Sequence, residues 1–169
     1  MADENGHGSL ADRAAARRKQ LLERKTTILE VPGYEGILSM EYRALSYPEG
    51  RRIQSRNQRI SDDAAREIAS AADGLIMASE MAFEHDPESG DLKPLGMAWG
   101  IPLAQSLGVK VSETMTVRQA VMSCFAHDIW LMNHWNEYSI WAGNAQLDVD
   151  EDQRLDFSPM TSPSSPTTP

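Results

Sequence analysis

Four residues in one stretch carry side chains that bind metals: Cys124, His127, Asp128 and His134. On a helix, Cys124, His127 and His134 fall within reach of one stripe. Zinc, however, needs three or four ligands that converge on a point, usually supplied as tight local pairs. The two histidines are seven residues apart, roughly 10 Å along a helix axis, too far to share an ion. The spacing therefore predicts a buried thiol and two helix-surface histidines, with no bound metal. Nucleophilic and phosphate chemistry is no better supplied. The sequence has no Gly-x-Ser-x-Gly elbow, no Gly-x-x-x-x-Gly-Lys-Ser/Thr loop and no Gly-x-Gly-x-x-Gly turn. Gly90, Gly96 and Gly100 are too scattered to cradle a phosphate, and no carboxylate pair stands out. The expectation is a protein that is not an enzyme and carries no cofactor.

Aromatic residues are more concentrated. Trp130, Trp135, Tyr138 and Trp141 fall within twelve residues. Positions 131, 135 and 138 share one helix face, and 130, 134, 137 and 141 a neighbouring one. A tryptophan stripe usually packs a core. Four large rings over two faces exceed what one face of a small domain buries, so two readings stand: core alone, or core and partner-binding surface together. The acidic run Asp150, Glu151 and Asp152 is a further candidate for partner contact.

Charge is unevenly spread along the 169 residues. The net charge of −9 divides into +2 over residues 1–66 and −11 over residues 67–169. Arg13, Arg17, Arg18, Lys19, Arg24 and Lys25 form one basic stretch. Arg51, Arg52, Arg56 and Arg59 head a second, with Arg43 and Arg66 around them. Arg51, Arg52, Arg56 and Arg59 are the candidates for a nucleic-acid contact. An acidic chain repels a polyanion at long range, and no aromatic residue is interleaved for base stacking. A solvated helix face, docking on the acidic half of another copy or on a partner, is the favoured reading.

The elements that position these residues follow from local pattern. Residues 1–8 are polar and read as disordered, and Ser9 caps a basic helix over about 9–26. Thr27–Val31 is rich in β-branched residues and stops at Pro32-Gly33. Residues 37–43 alternate, with Leu38, Met40 and Tyr42 on one face, as a half-buried antiparallel strand does. Ser46-Tyr47-Pro48-Glu49 is a capping box and opens a short basic helix to about Gln58. Ser61-Asp62-Asp63 starts a second helix, whose apolar spacing runs to about Phe83. Short strands around Met81–His85 and Leu92–Leu95 flank the turn at Pro87–Asp91. One or two helical turns cover 101–107 and end at Gly108. Thr116-Val117-Arg118-Gln119, a second capping box, opens the longest helix, which should end near Gly143. From Asp148 the chain is acidic and then Ser/Thr/Pro-rich, which predicts a disordered tail over 148–169.

Hydrophobic residues make up 41% and charged residues 24%, enough for one small core. No apolar run approaches the 18 residues of a membrane span, and the acidic start is unlike a secretory signal. One cysteine rules out an internal disulfide framework. The composition thus suggests an intracellular, soluble α+β protein: a mostly helical domain over 27–147 with a short antiparallel sheet.

The order of features resembles a known family. It comprises the strand ending in Val31-Pro32-Gly33, then Tyr42-Arg43-Ala44-Leu45, then Ala72-Asp73-Gly74-Leu75-Ile76 on a helix. His134-Trp135-Asn136-Glu137 with Trp141 follows on a long helix, and an acidic end closes the series. This is similar to the tail assembly chaperones of long-tailed bacteriophages of actinobacteria, over roughly residues 27–152. The Arg-rich helix at 51–59 and the Ser/Thr/Pro end depart from that pattern. The resemblance implies a non-enzymatic protein of the infected host's cytoplasm, absent from the mature virion. It implies that such a protein binds the tape measure protein and helps recruit subunits of the major tail protein. It also implies a longer product made by ribosomal frameshifting. A structural head–tail connector or minor tail protein, and a small nucleic-acid-binding regulator, are the competing readings.

Overall fold

The computed structural model describes residues 9–15 and 25–154, with side chains described up to residue 145. The expected disorder of residues 1–8 and of 155–169 lies outside the described residues. Within them the chain is α+β. Helix α1 begins at residues 10–15, where the Asp12 N–H donates to Ser9 Oγ (3.2 Å) and Asp12 reaches back to the Ser9 N–H (3.0 Å). The rest of the expected basic helix, residues 16–24, lies outside the described residues.

The sheet is an antiparallel meander in the order β1-β2-β3-β4: Thr26–Glu30, Leu38–Arg43, Ser79–His85 and Leu92–Pro94. Register puts Leu29, Met40 and Ala82 side by side on the core face, and Ile28, Glu41 and Met81 on the other. Leu38, Met40 and Tyr42 are buried, as their alternation requires. Between β2 and β3 come α2, Tyr47–Asn57, and α3, Asp63–Ala78. Glu49 bonds back to the Ser46 N–H (2.8 Å) and also pairs with Arg43, which holds its carboxyl down at about 2. Asp62 caps α3 by accepting from the Ala65 N–H at 2.7 Å.

The helix expected to reach Phe83 stops at Ala78. Ser79 turns to extended backbone, and the next residues pair with β2, so Met81 and Phe83 follow strand alternation rather than helical spacing. Helix α4 is Ile101–Ser106. A larger correction concerns the helix expected from Thr116 to Gly143. It is two helices: α5, Val117–Met122, capped by Thr116 and Gln119, and α6, Asp128–Arg154. The break has a cause. The Cys124 carbonyl, which a continuous helix would pair four residues on, accepts instead from the Tyr34 hydroxyl at 2.8 Å. Cys124 and Phe125 then turn into the core. At the other end α6 runs past Gly143 to Arg154, so residues 148–154, expected as tail, are helical backbone.

α6 lies across α3 and the sheet because α3 presents small residues: Ala69, Ala71, Ala72 and Gly74 are all buried. The Trp135 ring sits directly on Gly74, where an added Cβ would overlap it. Gly33 plays the same part for Trp130: its φ is +86°, and a Cβ there would come within 2.6 Å of the ring. Gly143, by contrast, faces open space. Replacing Gly74 by Ala should therefore cost about 1–3 kcal/mol, as overpacking does. Gly143→Ala should stabilise by up to about 1 kcal/mol, the helix-propensity difference. Paired urea melts check both signs.

Candidate interaction site

The aromatic helix is built into the core before it offers any surface. Tyr138 is only 2% exposed. Its hydroxyl donates to the Arg43 carbonyl and accepts from the Leu45 N–H, both at 3.1 Å, which pins α6 where β2 leads into α2. The rings of Trp135 and Trp141 flank it, with centroids 5.2 and 6.0 Å away. Trp130 stands apart over Gly33, edge-on to exposed His127 at 5.3 Å. The three tryptophans are half-buried. Asp150, Glu151 and Asp152 lie on the helical backbone of α6, and their side chains lie outside the described residues.

The candidate ligands are dispersed. Among the described residues no three of His, Cys, Asp or Glu come together to hold a metal. The Cys124 Sγ donates to the Ala120 carbonyl, and burial pushes the thiol up to about 11. His134 corrects the expectation of two surface histidines: it is wholly buried. Its Nε2 lies 2.7 Å from the Tyr42 hydroxyl, which in turn accepts from Trp99 Nε1 at 2.6 Å. These bonds compensate three buried polar groups at once, which is why the site tolerates an imidazole. His134 Nδ1 is left without a partner in the structure.

A second buried polar group escaped the sequence reading. Asp73, on α3, is bound by Arg118 Nε (2.8 Å) and by Asn57 Nδ2 (3.1 Å), and Arg118 also donates to Asn57 Oδ1 at 2.9 Å. The cluster ties α2, α3 and α5 together with its charges matched. Asp73 and Arg118 stood in the sequence only as a motif letter and a capping-box letter. Their separation of 45 residues gave no signal of contact. Of the candidate arginines, Arg56 lies 3.8 Å from Asp73, while Arg51, Arg52 and Arg59 are exposed and have no acidic partner among the described residues.

What α6 leaves open is a groove of about 600 Å³ against α2 and α3. Ile53, Met132 and Trp135 give it an apolar floor, and Gln54, Gln58, Arg66, Glu67 and Asn136 a polar rim. Ile129 (61% exposed) and Ile140 (67%) lie three residues before Met132 and four after Asn136, on the same flank of α6. Among the described residues no helix is long and apolar enough to cross a membrane. Compared with protein-family models, with curated proteins and with solved structures, the chain matches none.

The buried histidine makes stability depend on pH. Burial lowers His134 from 6.5 to about 4. The unfolded imidazole takes up its proton near pH 6.5, the folded one only near 4. Between these values the unfolded chain binds more protons, so stability present above pH 6.5 is lost as pH falls through the window. The full span is worth on the order of 3 kcal/mol. Denaturant melts at pH 7 and pH 5 should show the loss. His134→Gln, which keeps an acceptor for Tyr42, should flatten the slope.

Proposed function

We propose that this chain is a tail assembly chaperone of a long-tailed bacteriophage. On this reading it acts without catalysis in the cytoplasm of the infected host, binding the tape measure protein and helping to bring tail-tube subunits to it. The observation that carries this reading is the groove along α6, with an apolar floor, a polar rim and two exposed isoleucines beside it. An amphipathic helix of the tape measure protein fits such a surface, laying apolar residues spaced three and four apart onto Ile53, Met132 and Trp135. Ile129 and Ile140 extend the contact along α6. The polar rim keeps the unloaded chain in solution, as a transient binder needs.

The resemblance in the residues around Tyr42, Asp73 and His134 supports the same reading in a different way. These residues build the scaffold: Tyr42 and His134 bond in the core, and Asp73 anchors α5. A family held together by such signatures shares a fold and leaves its surface free to suit each partner. The longer frameshifted product would share this domain and differ beyond it.

Ile129→Glu with Ile140→Glu tests the reading without touching the core. Exposed substitutions of this kind alter stability by about 0.5 kcal/mol or less. Capture of the co-expressed tape measure protein should fall at least about tenfold, in the range of a lost interface anchor. Undiminished capture by a folded variant would contradict the proposed surface.

A further inference from the structure

The Asp73 cluster is closed on its inner side and open on its outer one. The Asp73 side chain is 5% exposed, while those of Arg118 and Arg56 are 28% and 61% exposed. Two guanidinium groups converge on a single oxygen: Arg118 Nη2 lies 2.5 Å from Asp73 Oδ2, and Arg56 Nη1 lies 3.8 Å from it. Asp73 balances one of the two positive charges and leaves the other over. Among the described residues Arg56 has no other acidic partner, and 3.8 Å is too long for a hydrogen bond. Arg118 spends three of its five N–H groups on Asp73 and Asn57, one from Nε and two from Nη2. Both N–H groups of Arg118 Nη1 have no acceptor among the described residues.

Arg56, Asp73 and Arg118 line a cleft of about 370 Å³ where α2, α3 and α5 meet, and its other walls are Ile76, Thr116 and Val117. Thr116 is already committed to the cap of α5: its hydroxyl donates to Gln119 Oε1 at 3.1 Å and accepts from the Gln119 N–H at 3.2 Å. Ile76 and Val117 form an apolar wall, with Val117 41% exposed. The cleft therefore combines one unbalanced positive charge, guanidinium donors and an apolar side. It shares no lining residue with the groove along α6.

We propose that this cleft binds one carboxylate side chain of a peptide segment in which the acidic residue is flanked by apolar ones. One carboxylate oxygen accepts from Arg118 Nη1 and the other from Arg56, as charge-assisted bonds. A flanking apolar side chain rests on Ile76 and Val117. Charge selects the carboxylate. One negative charge cancels the excess of one, whereas a phosphate dianion brings a second negative charge up to Asp73. A long polyanion is disfavoured further by the chain's net charge of −9.

An NMR titration of the full chain with the blocked tripeptide acetyl-Leu-Glu-Leu-amide reads the contact. The Nε–H signals of Arg56 and Arg118 and the amide of Val117 should shift together and saturate at millimolar peptide. Acetyl-Leu-Gln-Leu-amide should bind at least about tenfold more weakly, for want of the charge. Arg118 also holds the fold, so the variants are placed elsewhere. Arg56→Gln and, separately, Val117→Ser should keep the folded spectrum and weaken binding of the Glu peptide, the former at least about tenfold. The absence of saturating shifts at the three residues overturns the proposal. So does equal binding of the two peptides, or undiminished binding by either variant. Inorganic phosphate or a DNA duplex that moves the same signals at lower concentration and matched ionic strength overturns it too, because the cleft would then serve phosphate.

Discussion

A tryptophan ring can lie flat on a neighbouring helix only where the facing residue has no side chain, and Gly74 is that residue on α3. The surrounding alanines, Ala71 and Ala72, lower the rest of the α3 surface to match. Close approach of α6 follows, and with it the placement of everything α6 carries. Leu131 and Tyr138 reach the sheet, His134 reaches Tyr42, and Trp130 closes the turn at Gly33. The Tyr138 hydroxyl, bonded at the end of β2, then fixes how far α6 slides along its seat. Glycine here is a packing device, since Gly74 needs no unusual backbone angle.

Much of this was legible residue by residue. The alternation at Leu38, Met40 and Tyr42, the capping boxes at Ser46 and Thr116, and the turn after His85 are local signals, and each marks its element. Two boundaries failed because tertiary contacts decided them. Ala78 ends α3 because β2 offers its backbone partners to Ser79 and beyond, and the helix does not continue past α5 into α6 because Tyr34, ninety residues before Cys124, takes the Cys124 carbonyl. Gly143 read as a stop because glycine is a poor helix former, yet α6 continues with buried Ala145 just beyond it. The site divides in the same way. Aromatic crowding on α6 was visible, but its division into buried Tyr138 and half-buried tryptophans depended on two glycines that no spacing rule connects to it.

The same arrangement separates scaffold from surface. Tyr42, His134 and Asp73 use their polar atoms inward, and Trp135 spends one side of its ring on Gly74. The outward chemistry that remains is a groove with an apolar floor, two exposed isoleucines and a line of arginines on α2. These features sit on helices whose positions the core has already fixed. On the proposed reading, a surface placed by the core is ordered before a partner arrives, which lowers the ordering cost of binding.

The central claim is that α6 belongs to the cooperative core, and native-state hydrogen exchange across a denaturant series tests it most directly. The amides from Leu131 to Tyr138 should open only with those of Met40 and Tyr42, at the free energy of global unfolding. Exchange of the α6 amides through an opening well below that energy, while β2 stayed protected, would contradict it.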